Sequence, residues 1–142
     1  VQVWFRGEVI ADTRDAIQLE ETHVGHVVAP VVYYLPRKDV RMDRLVRTNH
    51  HTYCPFKGHA SYYSLKDGPE NAVWTYEQPY DEMAAIRDLL ALYPGKVDAI
   101  DDVEDRPQQV VERDRRGPGA HPPRRDHHRQ PFHEVAQDFE GG

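Results

Sequence analysis

His50-His51-Thr52-Tyr53-Cys54-Pro55-Phe56-Lys57-Gly58-His59-Ala60-Ser61-Tyr62-Tyr63 gathers the chain's only cysteine, a lysine, three histidines and three tyrosines into fourteen residues. Pro55 has a fixed φ and Gly58 is free to take left-handed angles, so the chain must turn in the middle of the stretch. Residues 59–65 then run on as a strand rich in aromatic and small residues. A turn this dense in reactive side chains, feeding a strand, is a site candidate on a β scaffold.

Working outward, Lys66-Asp67-Gly68 carries the Asp-Gly pair that favours positive φ in a hairpin turn, and 71–76 returns as the next strand, ended by Pro79. Upstream, Val31-Val32-Tyr33-Tyr34-Leu35 is the most β-prone run, placed centrally in the sheet and stopped by Pro36, which cannot donate to a ladder. Between it and the central stretch, 37–45 suits a short helical turn or an irregular loop. At the beginning, 1–5 and 8–11 read as two strands of a hairpin about Arg6-Gly7, and 16–20 alternates apolar and polar as a half-buried strand does.

From Asp81 the period changes. Met83, Ile86, Leu89, Leu90 and Tyr93 fall at helical spacing, with Asp81 as a first-turn cap and Pro94-Gly95 as the stop, so a helix is expected over 81–93. Residues 96–100 close the sheet as a last strand. The expected fold is mainly β, an antiparallel sheet with one C-terminal helix, occupying 1–102.

Residues 103–142 read differently. Charge, proline, glycine and histidine replace large apolar residues, so a disordered tail is expected, with at most a transient charged helix over 103–116 around Val110 and Val111. The tail histidines His121, His127, His128 and His133 are read as solvated, not as a metal site.

Composition excludes several classes. A net charge of −6 over 142 residues, with 30% charged side chains and a mean hydropathy of −0.79, argues against a phosphate-binding basic face, so no nucleic-acid partner is expected. No run approaches the ~18 apolar residues of a membrane span, and Val1 onward lacks the pattern of a secretory signal. One cysteine forms no internal disulfide, which points to a reducing cytoplasm.

Several segments together resemble a known family: Glu8-Val9-Ile10-Ala11-Asp12-Thr13, then Val32-Tyr33-Tyr34-Leu35-Pro36-Arg37-Lys38-Asp39-Val40, the opening stretch itself, Asn71-Ala72-Val73-Trp74-Thr75-Tyr76, and Val97-Asp98-Ala99-Ile100. In this order, and over nearly all of 1–100, the chain resembles the bacterial domain of unknown function 427 family. The resemblance implies a small, strongly bent β-sheet of the tent-like, Mss4-type kind, with the aromatic and cysteine motifs around a cleft. The family also carries a nucleotidyltransferase label. The motifs for that chemistry are missing, because Lys57-Gly58 stands alone before a strand and Asp39 and Asp43 have no glycine-rich loop beside them.

Two functions follow. In the first, the domain binds a small anionic metabolite in an aromatic-lined cleft, with Arg37 and Lys57 neutralising charge and Tyr34, Asp39, Tyr62, Tyr63 and Trp74 shaping the site. In the second, Cys54 is the nucleophile of an acyl- or group-transfer enzyme, with His50 as base and Lys57 as electrostatic support. Cys54 as a buried small hydrophobe, and Arg37 as a clamp on Asp39 or Glu21, stand beside these readings. No cofactor is expected. A metal bound by His50 or His51, Cys54 and His59 would need a ligand spacing that is not a known one, and one cysteine cannot make the four-cysteine zinc site of tent-like folds. A homodimer stays open.

Overall fold

The computed structural model describes residues 1–24, 26–102 and 109–114. They build three sheets. The first holds β1 (Gln2–Phe5), β2 (Glu8–Asp12) and β10 (Ala99–Asp101) in the order β10-β1-β2, all antiparallel. The β1–β2 turn has Arg6 at φ 52° and Gly7 at φ 77°, the paired left-handed angles of a two-residue hairpin.

The second sheet is centred on β3 (Ile17–His23), which pairs antiparallel with β4 (His26–Val27) and β5 (Val32–Tyr34). Its remaining partner is β11 (Gln109–Asp114), which runs parallel to β3 from the Gln109–Ile17 pair to the Asp114–Thr22 pair. The transient helix expected over 103–116 is therefore a strand where the structure describes it. Val110 and Val111 side by side are as compatible with a strand as with a helix, and the partner β3 decides between them. The rest of the expected tail, with its histidines, lies outside the described residues.

The third sheet has β6 (Leu45–Cys54), β7 (Gly58–Leu65), β8 (Val73–Thr75) and β9 (Leu90–Leu92) in sequence order, all antiparallel. It is covered on both faces. Tyr63, Leu65, Val73, Leu90 and Leu92 pack with Val1, Val3, Phe5 and Ile10 of the first sheet's hairpin. Cys54, Ala60, Tyr62, Trp74 and Ala91 pack with Ile17 and Leu19 of β3 and with Tyr34 of β5. The two clusters divide by strand parity, as side chains alternating across a sheet must.

This burial corrects the helix expected over 81–93. A 3-10 turn spans Asp81–Ile86, kinked at Met83 (φ −113°, ψ 22°), and the chain then extends into β9. Met83 and Ile86 do reach the core, but the cap position is Tyr80 and no side chain caps it. A strand buried on both faces reads as a continuous apolar run, so Leu89-Leu90-Ala91-Leu92-Tyr93 mimics a helix face. Two short 3-10 turns, Arg37–Asp39 and Met42–Arg44, agree with the helical turn expected in that region. Among the described residues there is no α-helix, and no helix is long and apolar enough to cross a membrane.

Candidate functional site

The turn between β6 and β7 closes on the Cys54–Gly58 pair, with the Lys57 amide donating to the Cys54 carbonyl at 3.2 Å. Gly58 sits at φ 110°, which a side chain resists. The turn sends Lys57 inward, to 1% exposure. Its Nζ lies 3.4 Å from Glu21 Oε2 and 4.0 Å from Cys54 Sγ, a thiol also 1% exposed. Glu21 Oε1 faces Arg113 Nη1 at 3.6 Å, and the Arg113 guanidinium lies over the Phe56 ring at 3.6 Å. Lys57, Glu21 and Arg113 thus form a buried ionic triad on the β3 side of the third sheet. Cys54 and Lys57 thus lie side by side on this face.

His50 does not join them. It meets Tyr62 edge to face, ring centroids 4.5 Å apart, and its Cα is roughly 13 Å of extended strand from that of Cys54. Tyr34, Tyr62 and Trp74 are buried in the same layer as packing. Trp74 Nε1 donates to the Tyr34 hydroxyl at 3.2 Å, and the Tyr62 and Thr52 hydroxyls meet at 2.9 Å. Asp39 lies apart, accepting from the Thr13 hydroxyl at 2.7 Å and from Lys38 at 3.1 Å. The Thr13 bond first, helped by Lys38 and opposed by burial, holds its carboxyl below the ordinary value.

Arg37 and Tyr63 belong to the opposite face. Arg37 donates from Nε to the Asp88 carbonyl at 2.8 Å, from Nη1 to the Tyr63 hydroxyl at 2.9 Å and from Nη2 to Thr75 Oγ1 at 3.3 Å. It is a clamp across the sheet, 3.9 Å from Glu77. Arg47 grips Glu77 with two bonds of 2.7 and 2.9 Å. Those bonds, against the opposing effect of burial, keep the Glu77 carboxyl below its usual range and raise Arg47. Both guanidinium groups stand 5.6 Å from the centroid of the Tyr63 ring.

Beside this cluster opens a cleft of about 370 Å³, lined by His51, His59, Ser61, Glu77, Gln78 and Tyr80. Its floor is Gly58, where an added Cβ would stand 3.4 Å from the Gln78 carbonyl oxygen and 3.5 Å from Pro79 Cα. The Tyr80 amide donates to the Lys57 carbonyl at 3.0 Å, and the Tyr80 and Tyr53 hydroxyls meet at 2.6 Å. Ser61 Oγ stands 3.4 Å from His51 Nδ1 and 3.4 Å from Glu77 Oε1. A nucleophilic triad places histidine between serine and carboxylate, whereas here serine is in the middle and acts as a bridge. His51 and His59 face away from Cys54, so the metal set weighed for them does not assemble. Among the described residues no group of three or more His, Cys, Asp or Glu is placed to hold a metal.

The sequence reading missed Ser61, Glu77, Gln78 and Tyr80. The usable signal was parity: 59 and 61 share a face of β7, and Pro79 turns the chain back over that face. A second cavity, about 420 Å³, lies between β5, β9 and β10 over Val3, Leu35 and Leu92, with Asp98 and Asp101 among its lining.

These features define a three-layer β domain with a polar cleft on one face of its central sheet and a buried Lys-Glu-Arg-Cys cluster on the other. The chain belongs to the family described as Domain of unknown function (DUF427), whose family model matches residues 1–103. No curated protein matches the chain.

Proposed function

We propose that this domain binds a small anionic metabolite in the His51–His59–Ser61–Glu77–Tyr80 cleft. The observation that carries the reading is the convergence of these polar side chains on a cavity of about 370 Å³, the size of a small-ligand pocket. Rigid strands supply His51, His59 and Ser61. Glu77 of the lining is in turn held by two guanidinium groups, Arg47 at 2.7 Å and Arg37 at 3.9 Å, so the positive charge beside it exceeds its own. Arg37 serves by holding Tyr63 and Thr75 in place, and Lys57 by fixing the turn whose Gly58 and neighbour Tyr80 shape the cleft.

Cys54 lines neither cavity and is buried behind the sheet, so a substrate in the cleft does not meet its sulfur. The binding reading is therefore preferred to the nucleophilic one. A free thiol also suits a reducing compartment.

The test uses benzoate and phenyl phosphate as probes, followed through the imidazole NMR signals of His51 and His59. Binding should shift both signals, and Arg47→Ala should weaken it about tenfold, the worth of one partly exposed charge-assisted contact. Unmoved imidazoles at millimolar probe, or equal binding by Arg47→Ala, would overturn the proposal.

A further inference from the structure

The cleft leaves the most distinctive part of the sequence, Cys54-Pro55-Phe56-Lys57, without a chemical role. We infer that Cys54 and Lys57 form an oxidative cross-linking site, in which peroxide converts the thiol to a sulfenic acid and the Lys57 amine captures it as a sulfur–nitrogen bond.

The geometry supplies each part. Nζ and Sγ are 4.0 Å apart across a tight turn, and rotation of the lysine side chain closes that gap. Sulfenic acids condense with a second thiol or with a backbone nitrogen. Within the chain neither partner is at hand, because Cys54 is its only cysteine and the next residue is Pro55, whose nitrogen carries no hydrogen. The buried Lys57 amine is the nitrogen the structure presents instead. Glu21 Oε2, 3.4 Å from Nζ, is placed to take the ammonium proton and free the nitrogen lone pair. Both reacting atoms belong to residues of 1% exposure, so a water-sized oxidant enters by local opening of the turn while larger thiol reagents are held out.

The chemistry balances. The Cys54 thiolate attacks one oxygen of hydrogen peroxide, forming the S–O bond as the O–O bond breaks and hydroxide leaves. That hydroxide receives, through Glu21, the proton released by the Lys57 ammonium and becomes water. The Lys57 nitrogen then attacks sulfur, the S–O bond breaks, and the departing hydroxide takes a proton from nitrogen as a second water. Sulfur is oxidised by two electrons and one peroxide is reduced. The product ties the ends of the turn that carries Gly58 and holds Tyr80, so oxidation locks the floor of the cleft.

The experiment treats the full chain with a small excess of hydrogen peroxide and digests it with trypsin without reductant. The 48–57 peptide should disappear in favour of a 48–66 peptide about 2 Da lighter than its unmodified form, because a bonded Lys57 is no longer cleaved, and a thiol reductant should reverse the change. Glu21→Gln should lower its yield while Cys54 runs on to the sulfinic acid, about 32 Da heavier. Normal cleavage after Lys57 with oxygen added at Cys54 would overturn the inference. So would a thiol that stays unmodified in the folded chain at peroxide levels that oxidise it in urea. Both readouts come from the unmutated protein, so they stand even if the Glu21 variant folds poorly.

Discussion

Lys57→Met is the perturbation that most directly probes the buried triad. Lys57, Glu21 and Arg113 are 1%, 7% and 8% exposed, so methionine would fill the lysine's space but remove its charge from beside the buried Glu21 carboxylate, whose ion pair with Arg113 at 3.6 Å stays in place. Breaking a buried pair by removing one partner costs about 3–5 kcal/mol, most of it the penalty for the charge left behind. Since Arg113 remains, the lower end applies, about 3 kcal/mol, a large fraction of the stability of an ordinary domain. With a urea m-value of about 2 kcal/mol per M, the unfolding midpoint should fall by roughly 1.5 M at unchanged slope. The triple variant Lys57→Met, Glu21→Leu, Arg113→Met removes every charge at once and should return to within about 1 kcal/mol of the parent, because apolar replacement of a whole buried ionic group is often neutral or stabilising. A single variant as stable as the parent, or a triple variant no better than the single, would refute the claim that uncompensated charge drives the loss.

Gly58→Ala adds a Cβ at φ 110° against the Gln78 carbonyl and should cost about 1–3 kcal/mol, seen as a lower melting temperature; an unchanged melt would deny the strain. The Glu77 carboxyl titrates below its unfolded value, so its contribution is present above the unfolded pKa and is lost as pH falls through the folded one. The stability gap between the parent and Glu77→Gln, measured in urea at several pH values, should therefore narrow as pH falls below the unfolded pKa of about 4.3, and a gap that does not change with falling pH would contradict the Arg47 pairing. A chain ended after Asp102 loses β11 and the Arg113 contact to Glu21, and should unfold about 2–3 kcal/mol more easily; equal urea midpoints would mean that β11 adds nothing to the domain.

What the sequence made legible was local. Gly7 announces the β1–β2 hairpin because glycine takes φ 77° at no steric cost, and 59–65 announces a strand through its aromatic content. The run 89–93 was misread because a strand covered on both faces loses the alternation that marks a half-buried one. Val110 and Val111 were misread because β11 gains its structure from β3, a partner far away in the chain. Composition reports neither kind of contact.

The candidate site was split by the same physics. Alternation alone says that Tyr62 and Tyr63 face opposite ways, but it does not say which neighbours share each side until the register is known. Once Cys54 pairs with Gly58 and His51 with Ser61, residues 51, 53, 59 and 61 share one face with Thr75, while 54, 60, 62 and 74 share the other. Arg37 and Lys57, proposed as two hands on one ligand, are thereby set on opposite faces of a sheet. One pairing register thus separates the polar cleft from the buried Cys54 thiol. The two are joined at the turn, where the Lys57 carbonyl accepts from the Tyr80 amide, and beside it, where the Tyr53 and Tyr80 hydroxyls meet. An influence of Cys54 oxidation on ligand binding that runs through that turn would be read at Gly58 and Tyr80.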